Sequence, residues 1–334
     1  MNRFAQILND KKELSLDEAY QMQHAILEGK LNTNELVEIF SLMDGRYPTI
    51  EEMNGIIKAT RESMLPVNID SDALDIVGTG GDGLKTFNIS TAASIVCAAC
   101  EVPVVKHGNR SATSRCGSAD VLEVLGVNIM LDAKKSVTCF EETGMVFLFA
   151  PSFHPSLKNA AEARKQFGKR TYFNILGPLV NPGKVSHQTL GVFDSQITSL
   201  MGETSIKNGA KQVWIVRSND GMDEISLFSL PDVRSFSAKS PKGKQLEIDY
   251  ELSKGSVEEI QIKDVNESAK IINAIFKNEA TAIQTQTVVI NAAVGIMTYG
   301  KSNELNEAML MASEAIKTGK AREKLMELIK SSNA

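Results

Sequence analysis

Four of the six residues in Gly78-Thr79-Gly80-Gly81-Asp82-Gly83 are glycine, and Thr86, Asn88, Ser90 and Thr91 follow within eight positions. Glycines remove the Cβ atoms that would hold an anion off the backbone, and hydroxyls at a helix start add donors beside free amides. The chemistry this spacing allows is the cradling of a phosphate or diphosphate, although glycine clusters also build ordinary turns. Neither common nucleotide motif fits. Leu84-Lys85-Thr86 stands where a P-loop needs Gly-Lys-Ser/Thr, and the dinucleotide spacing G-x-G-x-x-G fails.

A second polar run is Lys106-His107-Gly108-Asn109-Arg110-Ser111-Ala112-Thr113-Ser114-Arg115, then Gly117-Ser118-Ala119-Asp120, whose Ser118 and Asp120 are cap types. It offers cations, an amide and hydroxyls, either for an anion or as a solvated loop. A third is Asn219-Asp220-Gly221-Met222-Asp223-Glu224. Asn-Asp-Gly is turn chemistry, and the two carboxylates after it suit magnesium shared with substrate phosphates, or else a solvated acidic pair. His154 and Arg164 complete the candidates, an arginine on a helix being by itself more often a surface charge; His24 and His187 read as ordinary residues. No Gly-x-Ser-x-Gly elbow and no zinc-like histidine cluster is present. The expected catalysis is therefore electrostatic: a phosphorylated, metal-bound leaving group is held and allowed to depart.

The elements that must position these residues are legible in outline. Ser15 with Glu18, Asn32 with Glu35 and Thr49 with Glu52 mark three helix starts, giving a small helical unit over residues 1–66, joined by part of 168–188. From Leu74 strand and helix alternate, so residues 73–334 read as an α/β domain with a parallel or mixed sheet. Strands are expected at Leu74–Val77, Val102–Val105, Met145–Phe149 and Gln212–Val216. Helices are expected over 92–99, 117–125, 133–142, 157–167, 195–208, around 271–272, and over 287–297 and 304–316. Residues 174–182 read as loop, and 232–264 give no clear pattern.

The 334 residues, 43% apolar and 23% charged, can bury a large core. A formal net charge of -5 without a basic stripe argues against a general nucleic-acid binder. No apolar run approaches a bilayer span, and Met1-Asn2-Arg3-Phe4-Ala5 lacks a signal-peptide core. Cys97-x-x-Cys100 has metal-site spacing but lies in an apolar helix without a second pair, so it reads as core packing; with Cys116 and Cys139, free thiols fit a cytoplasmic protein.

Taken together, Gly78-Thr79-Gly80-Gly81-Asp82, Asn88-Ile89-Ser90-Thr91, Lys106-His107-Gly108-Asn109-Arg110, Gly117-Ser118-Ala119-Asp120, Gly168-Lys169-Arg170-Thr171-Tyr172-Phe173-Asn174-Ile175-Leu176-Gly177-Pro178-Leu179 and Met222-Asp223-Glu224 resemble the anthranilate phosphoribosyltransferase family over nearly the whole chain. The resemblance implies the fold of class II nucleoside phosphorylases, with a helical domain against an α/β domain, a cleft between them, and a homodimer. It implies transfer of the phosphoribosyl group of 5-phosphoribosyl 1-diphosphate to anthranilate in tryptophan biosynthesis. By the same resemblance the diphosphate substrate falls to Gly78, Gly81, Asp82, Thr86, Asn88, Ile89, Ser90, Thr91, Lys106, His107, Gly108, Asn109, Arg110, Ser111, Ala112, Thr113, Ser114 and Ser118. Magnesium, two ions per subunit with substrate bound, falls to Ser90, Asp223 and Glu224, and anthranilate to Gly78, Asn109 and Arg164, with His107 close by. Lys106, His107, Asn109 and Arg164 take the positioning and electrostatic roles. Two departures are visible: Glu162-Ala163 before Arg164, where relatives usually have Pro-Val, and Val216-Arg217-Ser218 in place of Val-His-Gly. The rival readings are a nucleoside phosphorylase, whose glycine loop differs, and a non-catalytic nucleic-acid-binding relative, whose motifs would be eroded and whose surface would be basic.

Overall fold

The computed structural model describes residues 2–111 and 115–334. The chain opens with α1 (Arg3–Lys11), α2 (Leu16–Leu27), α3 (Thr33–Met43) and α4 (Ile50–Ser63). The last three start at the expected capping boxes, where Ser15, Asn32 and Thr49 each accept from the amide three residues on and the glutamate there answers the cap's own amide. The first helix is additional to the expected three; Asn2 caps it, and Phe4, Ala5 and Leu8 form its short buried stripe. Glycine at position 55 lets α4 approach α2, since a Cβ there would lie 2.2 Å from Leu16 O. The buried Glu52 carboxylate accepts from both terminal nitrogens of Arg46 at 2.7 Å and from the Leu14 and Thr49 amides, so the α3–α4 connection is tied down by charge-assisted hydrogen bonds.

The alternating region contains β1 (Leu74–Gly78), α5 (Ile89–Ala99), β2 (Val104–Gly108), α6 (Ser118–Val124), α7 (Ala133–Thr143), β3 (Met145–Phe149), α8 (Ala150–Phe153), α9 (Ala161–Phe167), α10 (Phe173–Leu176), β4 (His187–Gly191), α11 (Thr198–Lys207) and β5 (Gln212–Ser218). Then come β6 (Pro231–Ser237), β7 (Ser240–Leu246), α12 (Val265–Phe276), α13 (Ala282–Tyr299), α14 (Leu305–Lys317) and α15 (Lys320–Ser332). The sheet order is β3-β2-β1-β4-β5-β6-β7, parallel from β3 to β5 and closed by an antiparallel pair. The chain leaves β1 toward β2 on one side and returns as β4 on the other. The topological switch point is therefore between β1 and β4, where open α/β sheets bind ligands beyond the strand ends.

Several elements differ from the expected ones. The second strand runs on through Lys106, His107 and Gly108, pairing with Phe147, Leu148 and Phe149, so the lysine and histidine belong to a strand and not to the loop after it. Strand β4 was not expected. Most of residues 174–182, read as loop, falls in α10 and a following 3₁₀ turn (Gly177–Leu179), while the helix expected over 157–167 begins with a 3₁₀ segment, Pro155–Ala160. Helix α15 was also not expected; within residues 232–264, where no pattern was clear, lie nearly all of β6 and the whole of β7, paired as a hairpin.

One core joins the N-terminal helices to the sheet: Leu8, Met22, Ile26, Ile39, Phe40 and Ile56 share a buried cluster with Tyr172, Phe173, Leu190, Val213 and Ile215. Phe40 touches the rings of Phe167, Tyr172 and Phe173, and truncating so buried an aromatic costs about 3–5 kcal/mol. The second large cluster packs α5, α12 and α13 on Leu74, Ile76, Val104 and Val105. None of the four cysteines forms a disulfide, all are buried, and Cys97 donates to Ala292 O, which bears out the packing role of the Cys97-x-x-Cys100 pair. Among the described residues no helix is long and apolar enough to cross a membrane.

Candidate active site

The strand ends at the switch point are glycines, and their lack of side chains admits one residue. A Cβ on Gly78 would lie 2.4 Å from Asp223 Oδ2, and one on Gly191 would lie 1.7 Å from Asp223 O. Asp223 therefore drops between β1 and β4, and the Gly80 amide donates to its Oδ2 at 2.9 Å. Gly80, Gly81 and Gly83 all have φ between 66° and 86°, the left-handed region, so the loop's course requires glycine.

Beyond the loop, α5 begins without a side-chain cap. Its Ser90 amide donates instead to Glu224 Oε1 at 3.1 Å, so the residue after Asp223 occupies this helix N-terminus. Asn88 is fixed by Ser268, which donates to its Oδ1 at 2.7 Å and accepts from its amide at 3.0 Å. The side chains of Ile89 and Thr91 are fully buried in the core. Any contact they make with a ligand in the cleft is by backbone.

Asp82, Asp223 and Glu224 press against one another. Burial, reinforced by the neighbouring carboxylates, raises Asp223 and Glu224 well above the ordinary carboxylate range, and burial raises Asp82 as well. Like charges so placed are relieved by a cation. Among the described residues no group of three or more His, Cys, Asp or Glu side chains is arranged to hold a metal by itself. The donor set, two carboxylates with the Ser90 hydroxyl, suits a hard cation whose remaining ligands are substrate oxygens and water.

Lys106 is 1% exposed; its Nζ donates to Ile76 O and, at 3.4 Å, to Ser90 Oγ. Burial lowers its pKa, opposed by the charges of Asp75 and Glu224. Asp75 in turn accepts from Asn181 Nδ2 at 2.9 Å, and the same Nδ2 reaches Val105 O at 2.9 Å, so residues around 177–183 are latched to the β1–β2 edge. Neither Asp75 nor Asn181 was a sequence candidate; the only signal was an Asn-Pro step after Gly-Pro-Leu.

His107 shares an Nδ1 contact with Gly177 O at 3.2 Å and lies 5.2 Å, ring to ring, from His154. Burial pushes His107 down to about 3, with His154 adding to the effect, and burial pushes His154 down to about 4. Both rings are neutral at pH 7, so His107 adds no cation to the segment. Among the described residues His107 Nε2 is buried with no hydrogen-bond partner, while the His154 ring lies against the Val180 backbone.

Arg110 is not free for an anion either. It pairs with Asp120 at 3.0 Å and Glu123 at 2.5 Å and lies over Phe149, bracing α6 against the sheet. Asn109 Oδ1 accepts from the Arg110 amide, the Ser111 amide donates to Asp120, and Ser118 Oγ approaches Asn109 O at 3.5 Å. A Cβ on Gly108 would strike Ser118 Oγ at 2.1 Å, so that glycine permits the close approach. Thr86 forms an isolated bridge with Gln261 beside the loop. Ala112, Thr113 and Ser114 lie outside the described residues.

Arg164, on α9, sits over the Phe173 ring at 5.1 Å. Burial lowers its pKa, and the one opposing influence is Tyr172, with no carboxylate among the described residues in attendance. Immediately before it Ala163 is 1% exposed and faces the core, so the Glu162-Ala163 departure leaves α9 packed through a small residue. A half-buried guanidinium on an aromatic face without an acid is a ready partner for a ligand carboxylate.

The family model described as "Glycosyl transferase family, a/b domain" matches residues 70–322. The chain is 39% identical over 336 residues to the anthranilate phosphoribosyltransferase of Petrotoga mobilis, covering 99% of this chain and 97% of that one. It superposes on the crystal structure of anthranilate phosphoribosyltransferase from Thermus thermophilus with a TM-score of 0.90 at 32% identity, over 100% of both chains. The Saccharomyces cerevisiae enzyme solved in complex with PRPP and Mg has the same fold, with a TM-score of 0.84 at 24% identity over 96% of this chain and 94% of that one. On this agreement of sequence and fold, the chain belongs to the anthranilate phosphoribosyltransferase family.

Proposed function

We propose that this chain transfers the 5-phosphoribosyl group of 5-phosphoribosyl 1-diphosphate to the amine of anthranilate, releasing diphosphate. The reading is supported by two chemically different sets of residues, taken as the two halves of a substrate cleft. One half has the glycine loop, the N-terminus of α5 and buried Lys106, all suited to a diphosphate. The other has the neutral His107–His154 pair and Arg164 over Phe173, suited to a neutral amine beside a carboxylate.

The reaction is displacement at ribose C1: the bond to the diphosphate oxygen breaks, the bond to the amine nitrogen forms, and the amine proton leaves to solvent. Positive charge grows on the sugar and negative charge on the leaving group. Lys106 stabilises the leaving side from a site that excludes water, where a fixed charge acts most strongly. Magnesium, when bound by Ser90, Asp223 and Glu224 together with substrate oxygens, supplies charge neutralisation of the diphosphate. Gly78, Gly81, Asp82, Thr86, residues 88–91 and Lys106 line the diphosphate half, with Gly108, Asn109, Ser111, Ser118 and the backbone of Arg110 at its rim and His107 at the border with the other half. Asn109 and Arg164 orient anthranilate so that its nitrogen meets C1, and positioning of this kind supplies a large share of the rate. Residues 1–66 form the helical domain that closes on the α/β domain 73–334, and the working unit is a homodimer with no nucleic-acid or membrane partner.

Product identification tests the reading. Protein incubated with anthranilate, 5-phosphoribosyl 1-diphosphate and Mg²⁺ should yield N-(5-phosphoribosyl)anthranilate by mass spectrometry. Phosphorolysis of nucleosides by the same preparation, without that product, would assign the chain to the phosphorylase chemistry of the fold instead.

A further inference from the structure

A cavity of about 440 Å³ lies beyond the carboxyl ends of β4 and β5, roofed by the α3–α4 connection and floored by residues 170–175. None of Ser90, Lys106, His107, Arg164, Asp223 and Glu224 lines it. Its size is that of a small-molecule site, and its make-up is the usual one: aromatic walls with a few convergent polar groups. The walls include Phe40, Tyr47 and Phe193, and the charged groups divide into spent and unspent.

Arg46 is spent on Glu52, Asp44 on Lys169 at 2.5 Å, and Asp194 accepts from Tyr47 Oη at 2.7 Å and the Gln196 amide at 2.9 Å. Two guanidiniums remain without a carboxylate among the described residues. Arg217 donates from Nε to Phe193 O at 3.4 Å. Arg170 lies 4.0 Å over the Phe193 ring and donates from Nη2 to Gly81 O.

We propose that this cavity is a second binding site, distinct from the substrate cleft, for a small aromatic carboxylate. The ring lies among Tyr47 and Phe193, and the carboxylate is held by Arg217 and Arg170. Occupation reaches the glycine loop because the bound carboxylate competes with Gly81 O for the Arg170 guanidinium. The binding half stands on the cavity alone; the effect on the loop rests on the proposed transferase reading.

Benzoate is the probe, with neutral benzamide as control, and calorimetry is the readout. Benzoate should bind Arg164→Ala protein, in which the anthranilate side of the cleft is impaired, and should bind Arg217→Gln protein about tenfold more weakly than wild type, the value of one hydrogen bond to a charged group. Arg217→Lys, which restores the charge, should recover most of that loss, and benzamide should not bind. In kinetics, benzoate should raise the KM for 5-phosphoribosyl 1-diphosphate in wild type and need about tenfold more to do so in Arg217→Gln, while still competing with anthranilate in both. Benzoate binding unchanged by Arg217→Gln, or abolished by Arg164→Ala, overturns the site. Binding at Arg217 with an unaltered KM overturns the link through Arg170. A protein without turnover but with Arg217-dependent benzoate binding contradicts the transferase reading and leaves the site standing.

Discussion

Asp223 reaches across the sheet to Gly80: its Oδ2 accepts from the Gly80 amide at 2.9 Å, and it fits only because Gly78 and Gly191 have no side chains. The acidic turn after β5 and the anion loop after β1 are therefore one unit, and substitutions at the glycines should act through the carboxylate. Gly78→Ala sets a Cβ against a side-chain oxygen that can swing away, so the fold should survive while kcat/KM falls about tenfold or more. Gly191→Ala sets one against the Asp223 backbone, which cannot yield locally, and overpacking of this kind costs about 1–3 kcal/mol. Thermal midpoints with kinetics separate the two; equal stability loss in both variants would contradict the distinction.

Asp223→Asn with Glu224→Gln removes the two carboxylates proposed to hold magnesium. Turnover should fall about a hundredfold, the scale of losing one preorganised charge-stabilising contact, and the Mg²⁺ concentration giving half-maximal rate should rise. Removing mutually repelling buried charges should leave stability unchanged or improved. Wild-type kinetics at limiting Mg²⁺ would contradict the assignment.

The neutral histidines set a pH dependence of stability. An unfolded histidine takes up a proton near pH 6.5, while folded His107 and His154 resist protonation until about 3 and about 4. Below pH 6.5 the unfolded state binds more protons, so this stability is complete above pH 6.5 and drains away as pH falls toward 4. Asp75, raised to about 6 chiefly by burial, works in the opposite sense over part of this range, favouring the folded state at lower pH. The comparison of wild type with His154→Leu isolates one histidine: the difference in unfolding free energy should change by up to about 1.4 kcal/mol per pH unit between pH 6 and 5. Parallel pH profiles for the two proteins would show that His154 takes up its proton in the fold.

Arg164→Ala should raise the anthranilate KM about ten- to a hundredfold, the value of a hydrogen bond to a charged group, and leave the KM for 5-phosphoribosyl 1-diphosphate nearly unchanged. If the arginine also aligns the amine with C1, kcat falls too, and kcat/KM carries the whole effect. A change within twofold would return Arg164 to an ordinary helix charge.

What the sequence made legible was local. Ser15, Asn32 and Thr49 announce their helices because a capping box is contained in four residues. Strand β4 was hidden because its polar residues are satisfied from far away, Gln188 by Pro178 O at 2.7 Å and Thr189 by Thr298 at 2.9 Å. Lys106 disguised the end of β2, since a buried lysine on a central strand makes sense only with Ile76 O and Ser90 Oγ beside it. Residue types placed the anion and metal chemistry, but which cations are available was a tertiary matter. Arg110 is consumed by Asp120 and Glu123, while Arg164 has no acid among the described residues, and nothing in the spacing distinguishes them.

The central claim is that one cleft joins a metal-dependent diphosphate half to an anthranilate half, and the decay of anthranilate fluorescence tests it directly. Fluorescence should fall only when 5-phosphoribosyl 1-diphosphate and Mg²⁺ are both present, and excess EDTA should stop it. Decay that persists in EDTA, or no decay with both present, would contradict the account.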